Sequence, residues 1–210
     1  MSTAIHAPKQ LIQKHKEIFL ISTLLFLIGV IVGIHPQYGK PIIEHAREIE
    51  IDPYAVAANF KSIFINNGLI SLILCVGWFI FPFYPDCFPI TVMVYNVGSA
   101  FGAVLAYANI LQFFVSILTF GLIEAFGFIF GLSAGLLLPE YAIQRLLGKP
   151  ANLSTYLLDS LTFMLYSLSS LVVSAFLEAI LLHPALFSIA LIIGVICTFA
   201  YLRYFILWEE

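Results

Sequence analysis

The stretch TFGLIEAFGFIFGLSAGLLL (residues 119–138) decides the fold. It is apolar almost throughout, and about 20 such residues in a helix cross the roughly 30 Å hydrocarbon core of a bilayer. It nevertheless contains a carboxylate, Glu124. Glycines recur every four residues after it, at Gly127, Gly131 and Gly135, and on a helix all four positions share one side. Small residues at this spacing let a neighbouring helix come close, so we predict that this side faces protein.

The composition predicts an integral membrane protein. The chain has 210 residues, of which 61% are hydrophobic and 10% charged, and its mean hydropathy is +1.03. Soluble domains carry about 25% charged residues. We therefore predict an all-α bundle of about six transmembrane helices, forming one domain over residues 1–210. The net charge of −3 gives no reason to expect a nucleic-acid partner. Cys75, Cys87 and Cys197 show no ligand spacing, so we expect no metal and no cofactor.

Six apolar segments give the predicted topology. They cover about residues 17–34, 68–81, 89–108, 119–138, 155–182 and 185–206. Residues 1–16 are expected to form a cytoplasmic tail, and residues 35–61, a long charged segment, an extracytoplasmic connector with short helices. Six spans place both termini on one side of the cell membrane. The lysines and arginines of the tail and of the later polar segments favour the cytoplasm for that side.

Amide side chains accompany the apolar segments. Asn66 and Asn67 interrupt the second one, where they form either a plain turn or helix start, or two amides at membrane depth. Asn96 precedes a second small-residue stripe, Gly98 and Gly102, in the third segment. We predict that the third and fourth helices pack closely through their glycines.

This packing assigns a partner to the first acid. If the glycine side of the fourth helix contacts the third helix, Glu124 lies at the edge of that contact. Asn96 is then the expected hydrogen-bond partner, because an unpaired buried polar group costs about 1–3 kcal/mol. Leu132 is expected to point to the opposite, lipid-facing side.

A second acid, Glu178, lies near the end of the fifth apolar segment. Ionisable side chains inside a membrane are costly and usually face the bundle interior, where they mark functional sites. We therefore take the two acids, with the three asparagines, as the candidate intramembrane site. Two interpretations stay open: the acids are neutral or hydrogen-bonded and serve packing, or they bind an ion or a polar solute.

Four stretches resemble a known family, the stage II sporulation protein M-like membrane proteins. They are IFINNGLISL (residues 63–72), VYNVGSAFGAVL (94–105), the stretch at 119–138 and SAFLEAILLHP (174–184). In that family a Pro-His-Gly sequence usually precedes the glutamate of the third stretch. Here Gly121 and Glu124 match, whereas Thr119 and Phe120 replace the proline and histidine, so no role of that histidine carries over.

The resemblance implies an all-helical multi-pass protein. In spore formers the family member belongs to a membrane complex with cell-wall hydrolases that acts during engulfment. No GxSxG, HExxH or Walker motif is present. We therefore expect a non-enzymatic protein that scaffolds or assembles a membrane complex, with other membrane proteins or a second copy as partners in the lipid bilayer. The alternative is a transporter or channel for a small cation, a proton or a polar solute that uses Glu124 and Glu178.

Overall fold

The structure, a computed structural model, describes residues 7–34, 54–107 and 110–204. Within these ranges it is helical and contains no strand. Five helices are long and apolar enough to cross a membrane, and a sixth apolar helix is shorter. In chain order they are Lys16–Ile34, Val56–Ile80, Pro89–Ala106, Phe114–Leu146, Leu153–Leu181 and the shorter Phe187–Leu202, which we call the first to sixth spans. The predicted all-α polytopic bundle is confirmed.

Several shorter elements complete the described chain. Pro8–Lys14 is a helix that precedes the first span. Pro85–Cys87 is a 3-10 turn between the second and third spans. The third span contains a π-helical segment, Val92–Gly98, followed by the α-helix Ser99–Tyr107. Helix Ile110–Ser116 leads into a second π-helical segment, Ile117–Gly121, and then into the α-helix Leu122–Leu146. Such wide turns inside membrane helices are frequent at functional sites.

Contacts between distant residues fix the directions of the spans. Lys14, before the first span, donates a hydrogen bond to Asp159 near the start of the fifth span. Tyr54, before the second span, packs its ring against that of His183, just after the fifth span. The first and fifth spans therefore begin at one end of the bundle, which we call the Lys16 end. The second span begins at the opposite end, which we call the Ile34 end.

The first and third spans run parallel and pack through glycines. Gly29 and Gly33 of the first span face Gly98 and Gly102 of the third. A methyl group added at Gly98 would lie 2.6 Å from the Cα of Gly29, so the two backbones are in direct contact. The predicted packing of the third span on the fourth through these glycines is therefore wrong. The third span's stripe instead meets a matching pair of small residues on the first span.

The fourth span lies at the centre of the bundle. Its glycine side faces protein as predicted, but the neighbours are the second and fifth spans. Gly127 faces Leu171 and Ser170, Gly131 faces Ser71 and Ser167, and Gly135 faces the backbone of Leu74 and Cys75. Leu132 is fully buried, so the prediction that it points to lipid is wrong. Protein surrounds this span on more than one side, because it lies between other spans.

Two predicted boundaries also change. The second span begins at Val56 rather than near residue 68, so Asn66 and Asn67 lie within a continuous helix. The last residues of the predicted connector, 56–61, belong to that helix, and residues 35–53 lie outside the described part of the chain. In the predicted tail, Leu11 is fully buried and His15 is 6% exposed, so helix Pro8–Lys14 is docked on the bundle rather than solvated.

The glycine contact of the first span leads to a stability prediction. We expect Gly29→Ala to lower the thermal midpoint in detergent, because the added Cβ would lie 2.5 Å from the Val94 carbonyl oxygen. Overpacking of this kind costs about 1–3 kcal/mol. Gly68→Ala is the matched control: the nearest atom to its Cβ would be 4.0 Å away, on Phe64. There we expect no loss, since alanine is the better helix former by about 1 kcal/mol. Equal loss in both variants would contradict the close helix contact.

Candidate functional site

The structure brings both predicted acids to one cavity. Glu124 lies just after the π-helical segment of the fourth span, and Glu178 lies in the last turn of the fifth span. Both line a cavity of about 430 Å³, which Asn67 of the second span also lines. Val104 and Leu182 complete its wall near the ends of their helices, which places the cavity toward the Ile34 end. Three of the five polar residues chosen from the sequence therefore meet at one place.

A hydrogen bond holds the first acid. Asn67 Nδ2 donates to Glu124 Oε1 at 2.7 Å, and Asn67 is only 7% exposed. Asn66 Nδ2 donates to Asn67 Oδ1 at 3.3 Å. This orients the side-chain amide of Asn67 so that its NH₂ group points at Glu124. Because the second span begins before these asparagines, both lie within a membrane-spanning helix, Asn67 buried and Asn66 half-buried, rather than in a turn. Asn66 contributes through Asn67, since its side-chain amide donates to that neighbour.

Asn96 is not the partner of Glu124, so that prediction is wrong. Asn96 lies in the π-helical segment of the third span, and its Oδ1 is buried with no hydrogen-bond partner among the residues that the structure describes. The third span turns its small-residue side to the first span, whereas the glycine side of the fourth span meets the second and fifth spans. The acid therefore finds its amide on the second span. The sequence favours Asn96, because its helix carries a small-residue stripe, but it does not show which helix that stripe contacts.

The two carboxyl groups of the cavity favour the binding of a cation or a proton. Glu124 and Glu178 are close enough to interact electrostatically across it. Apolar side chains such as Ile63, Phe101 and Leu181 form much of the remaining wall. Two negative charges repel each other strongly where few water molecules screen them. A proton or a small cation between the two carboxyl groups relieves that repulsion. In the described residues there is no group of three or more His, Cys, Asp or Glu that could hold a metal ion.

A second polar cluster lies at the Lys16 end. Asp159 of the fifth span is 1% exposed, and its Oδ2 accepts from Lys14 Nζ at 2.6 Å and lies 2.9 Å from His15 Nε2. The other ring nitrogen of His15, Nδ1, lies 3.4 Å from Glu140 Oε2 of the fourth span. Sequence analysis missed this cluster. The sequence contains the pattern that could have identified it, because Asp159 is an acid in an apolar helix just as Glu124 is.

The fold and the site together define a polytopic helical membrane protein with acids inside its bundle at both ends, half-buried at the cavity and buried at Asp159. The sequence profile described as Stage II sporulation protein M matches residues 20–181. This match covers well over half of the chain, so the chain belongs to the Stage II sporulation protein M family. The predicted family resemblance is confirmed. No curated protein and no solved structure matches the chain.

The two asparagines differ in a testable way. We expect Asn67→Ala to lower the thermal midpoint in detergent, because it leaves a buried carboxyl oxygen without its donor, at a cost of about 1–3 kcal/mol. Asn96→Ala removes an oxygen that is already buried and unpaired. We therefore expect it to leave the midpoint unchanged or to raise it. A larger loss in Asn96→Ala than in Asn67→Ala would show that the acid's partner has been wrongly assigned.

Proposed function

We propose that this protein binds a small cation or a proton between Glu124 and Glu178 and moves it across the membrane. The observation that carries the proposal is the cavity that joins the two acids. Intramembrane acids that share a polar cavity are typical of ion and proton pathways. A cavity of about 430 Å³ is within the range of small-ligand sites. A small polar solute with a positive group would fit the same chemistry.

The geometry favours this proposal over assembly of a complex. Several helices carry small-residue stripes, and such stripes favour assembly because they promote association between helices. The stripes of the third and fourth spans contact other helices of the same chain. They are therefore not free to contact a partner protein. The two acids, in contrast, face a space that the chain itself leaves open.

Charge-removing variants test the proposal. In proteoliposomes with an imposed membrane potential, we expect Glu124→Gln and Glu178→Gln each to abolish the flux of the conducted ion. Glutamine keeps the size of the side chain and removes the charge that attracts a cation. Flux of Na⁺, K⁺ and H⁺ is measured separately with ion-sensitive dyes in the vesicle lumen.

Glu17→Gln is the matched control, since Glu17 is an exposed acid in the first turn of the first span. It should keep the wild-type flux. If wild-type vesicles pass none of the three ions faster than empty vesicles do, the proposal is refuted. Flux that survives in both cavity variants would refute the role of the two acids.

Membership of the family supports a second function, a non-enzymatic scaffold or assembly component of a membrane complex. It predicts that the protein, purified in mild detergent, forms a defined oligomer or co-purifies with specific membrane proteins. A monomer with no partner in a cross-linked membrane preparation would count against it.

We further propose that the Lys16 end faces the cytoplasm, with both termini on that side. Basic residues that flank the spans at this end include Lys14, Lys16, Arg145 and Lys149. Positively charged residues near membrane helices are enriched on the cytoplasmic side. A C-terminal fusion to a reporter enzyme that is active only in the cytoplasm checks the orientation.

A further inference from the structure

We infer that the conducted ion is the proton, and that its route is the seam between the second, fourth and fifth spans. This inference rests on the proposed function, because it names the ion and the path for the same two-acid site. Polar side chains follow this seam from the cavity to the cluster at the Lys16 end.

The fifth span supplies one side of the seam. Ser160, Ser167 and Ser174 are all buried, and they lie between Asp159 near the start of this helix and Glu178 near its end. The helix rises 1.5 Å per residue, so the distance along it from Ser160 to Glu178 is about 27 Å. That is nearly the roughly 30 Å thickness of the hydrocarbon core. The buried polar groups therefore extend across most of the membrane.

The second span supplies the other side. Asn67, Ser71 and Cys75 follow one another at intervals of four residues and so share one face of the helix. Ser71 Oγ lies 2.5 Å from Ser167 Oγ, and both serines are fully buried. Ser71 thus places a polar group of the second span against one on the fifth span, one turn beyond Asn67.

Titratable groups lie at both ends of the seam. At the Ile34 end these are Glu124 and Glu178. At the Lys16 end Asp159 contacts Lys14 and His15 from the N-terminal segment. The groups that face His15 from the packed spans are Glu140 of the fourth span, and Asp159 and Tyr156 of the fifth. A proton that leaves the cavity therefore has an acceptor at the far end.

The packing of the seam selects the proton over larger cations. Gly131 brings the backbone of the fourth span against the two serines, and a methyl group added there would lie 2.6 Å from Ser71 Oγ. At Gly135 the fourth span touches the backbone of Leu74 and Cys75. A cation with its hydration shell does not fit between helices in such contact. A proton needs only a chain of hydrogen-bonding groups.

The transfer steps conserve charge. A serine hydroxyl accepts a proton on an oxygen lone pair and releases its original O–H proton to the next acceptor, after which it rotates back. Groups one helical turn apart are too distant for direct transfer, so the route requires a water molecule that bridges them with two hydrogen bonds. One proton leaves the carboxyl groups of the cavity and one arrives at the Asp159 cluster.

The same hydroxyls also have structural partners. Ser160 Oγ donates to the Ala134 carbonyl at 2.8 Å, and Ser174 Oγ donates to the Leu171 carbonyl at 3.2 Å. Serines in membrane helices often serve packing alone through such bonds. A test must therefore separate a relay from a contact that only supports the fold.

The double variant Ser71→Ala/Ser167→Ala distinguishes a proton relay from a contact that only supports the fold. It removes both members of one hydrogen bond together, so neither is left buried and unpaired. The matched control is Ser22→Ala/Ser133→Ala, a second buried serine pair, 3.0 Å apart, between the first and fourth spans. Each protein is placed in vesicles with a pH-sensitive dye inside, and a potassium diffusion potential drives proton entry. The thermal midpoint of each variant is measured in parallel.

We expect the seam variant to slow proton flux by about tenfold or more, because every proton must cross the missing step. The control should keep the wild-type proton flux at a similar thermal midpoint. Equal proton flux in the two double variants would overturn the route. Flux of Na⁺ or K⁺ that requires Glu124 and Glu178, without proton flux, would overturn the inference and leave the proposed function standing. Absence of flux for all three ions in the wild type would overturn the proposed function itself.

Discussion

The fold depends on the close approach of helix backbones at glycines. Lipid chains are as apolar as leucine, so helices in a membrane associate through packing rather than through removal of apolar surface from water. Gly29 and Gly98 bring the first and third spans together, and Gly131 and Gly135 place the fourth span against the second. These contacts leave little freedom in how the helices are arranged, and they determine which polar side chains meet.

The polar groups follow from that arrangement. With the fourth span in contact with the second and fifth spans, Glu124 accepts a hydrogen bond from Asn67 and lines the same cavity as Glu178. An acid at this depth needs a hydrogen-bond donor or a bound cation, because the surrounding hydrocarbon supplies neither. The π-helical segment Ile117–Gly121 ends three residues before Glu124, and its residues Ile117, Phe120 and Gly121 line the cavity. The irregular backbone thus lies where the cavity forms.

The sequence predicted the fold class and most spans, because long apolar runs have few alternatives to a membrane helix. It identified the polar residues of the cavity, but not their partners. Glycine stripes show that a helix has a contact face, and nothing in one helix specifies which other helix supplies the matching face. For that reason the sequence favours Asn96 over Asn67, and it does not show that the Leu132 side of the fourth span also faces protein. The early start of the second span was also missed, because Asn66 and Asn67 suit a turn as well as a helix.

The docking of the N-terminal segment constrains how the protein is made. The bond between His15 and Asp159 joins residues 144 positions apart. During synthesis the first of these residues emerges long before the second, so the segment cannot take its final place until the fifth span has entered the bilayer. Gly29 and Gly33 likewise wait for the third span. The contacts of the N-terminal segment therefore form late, and the newly made chain must keep this segment available until the fifth span has been inserted.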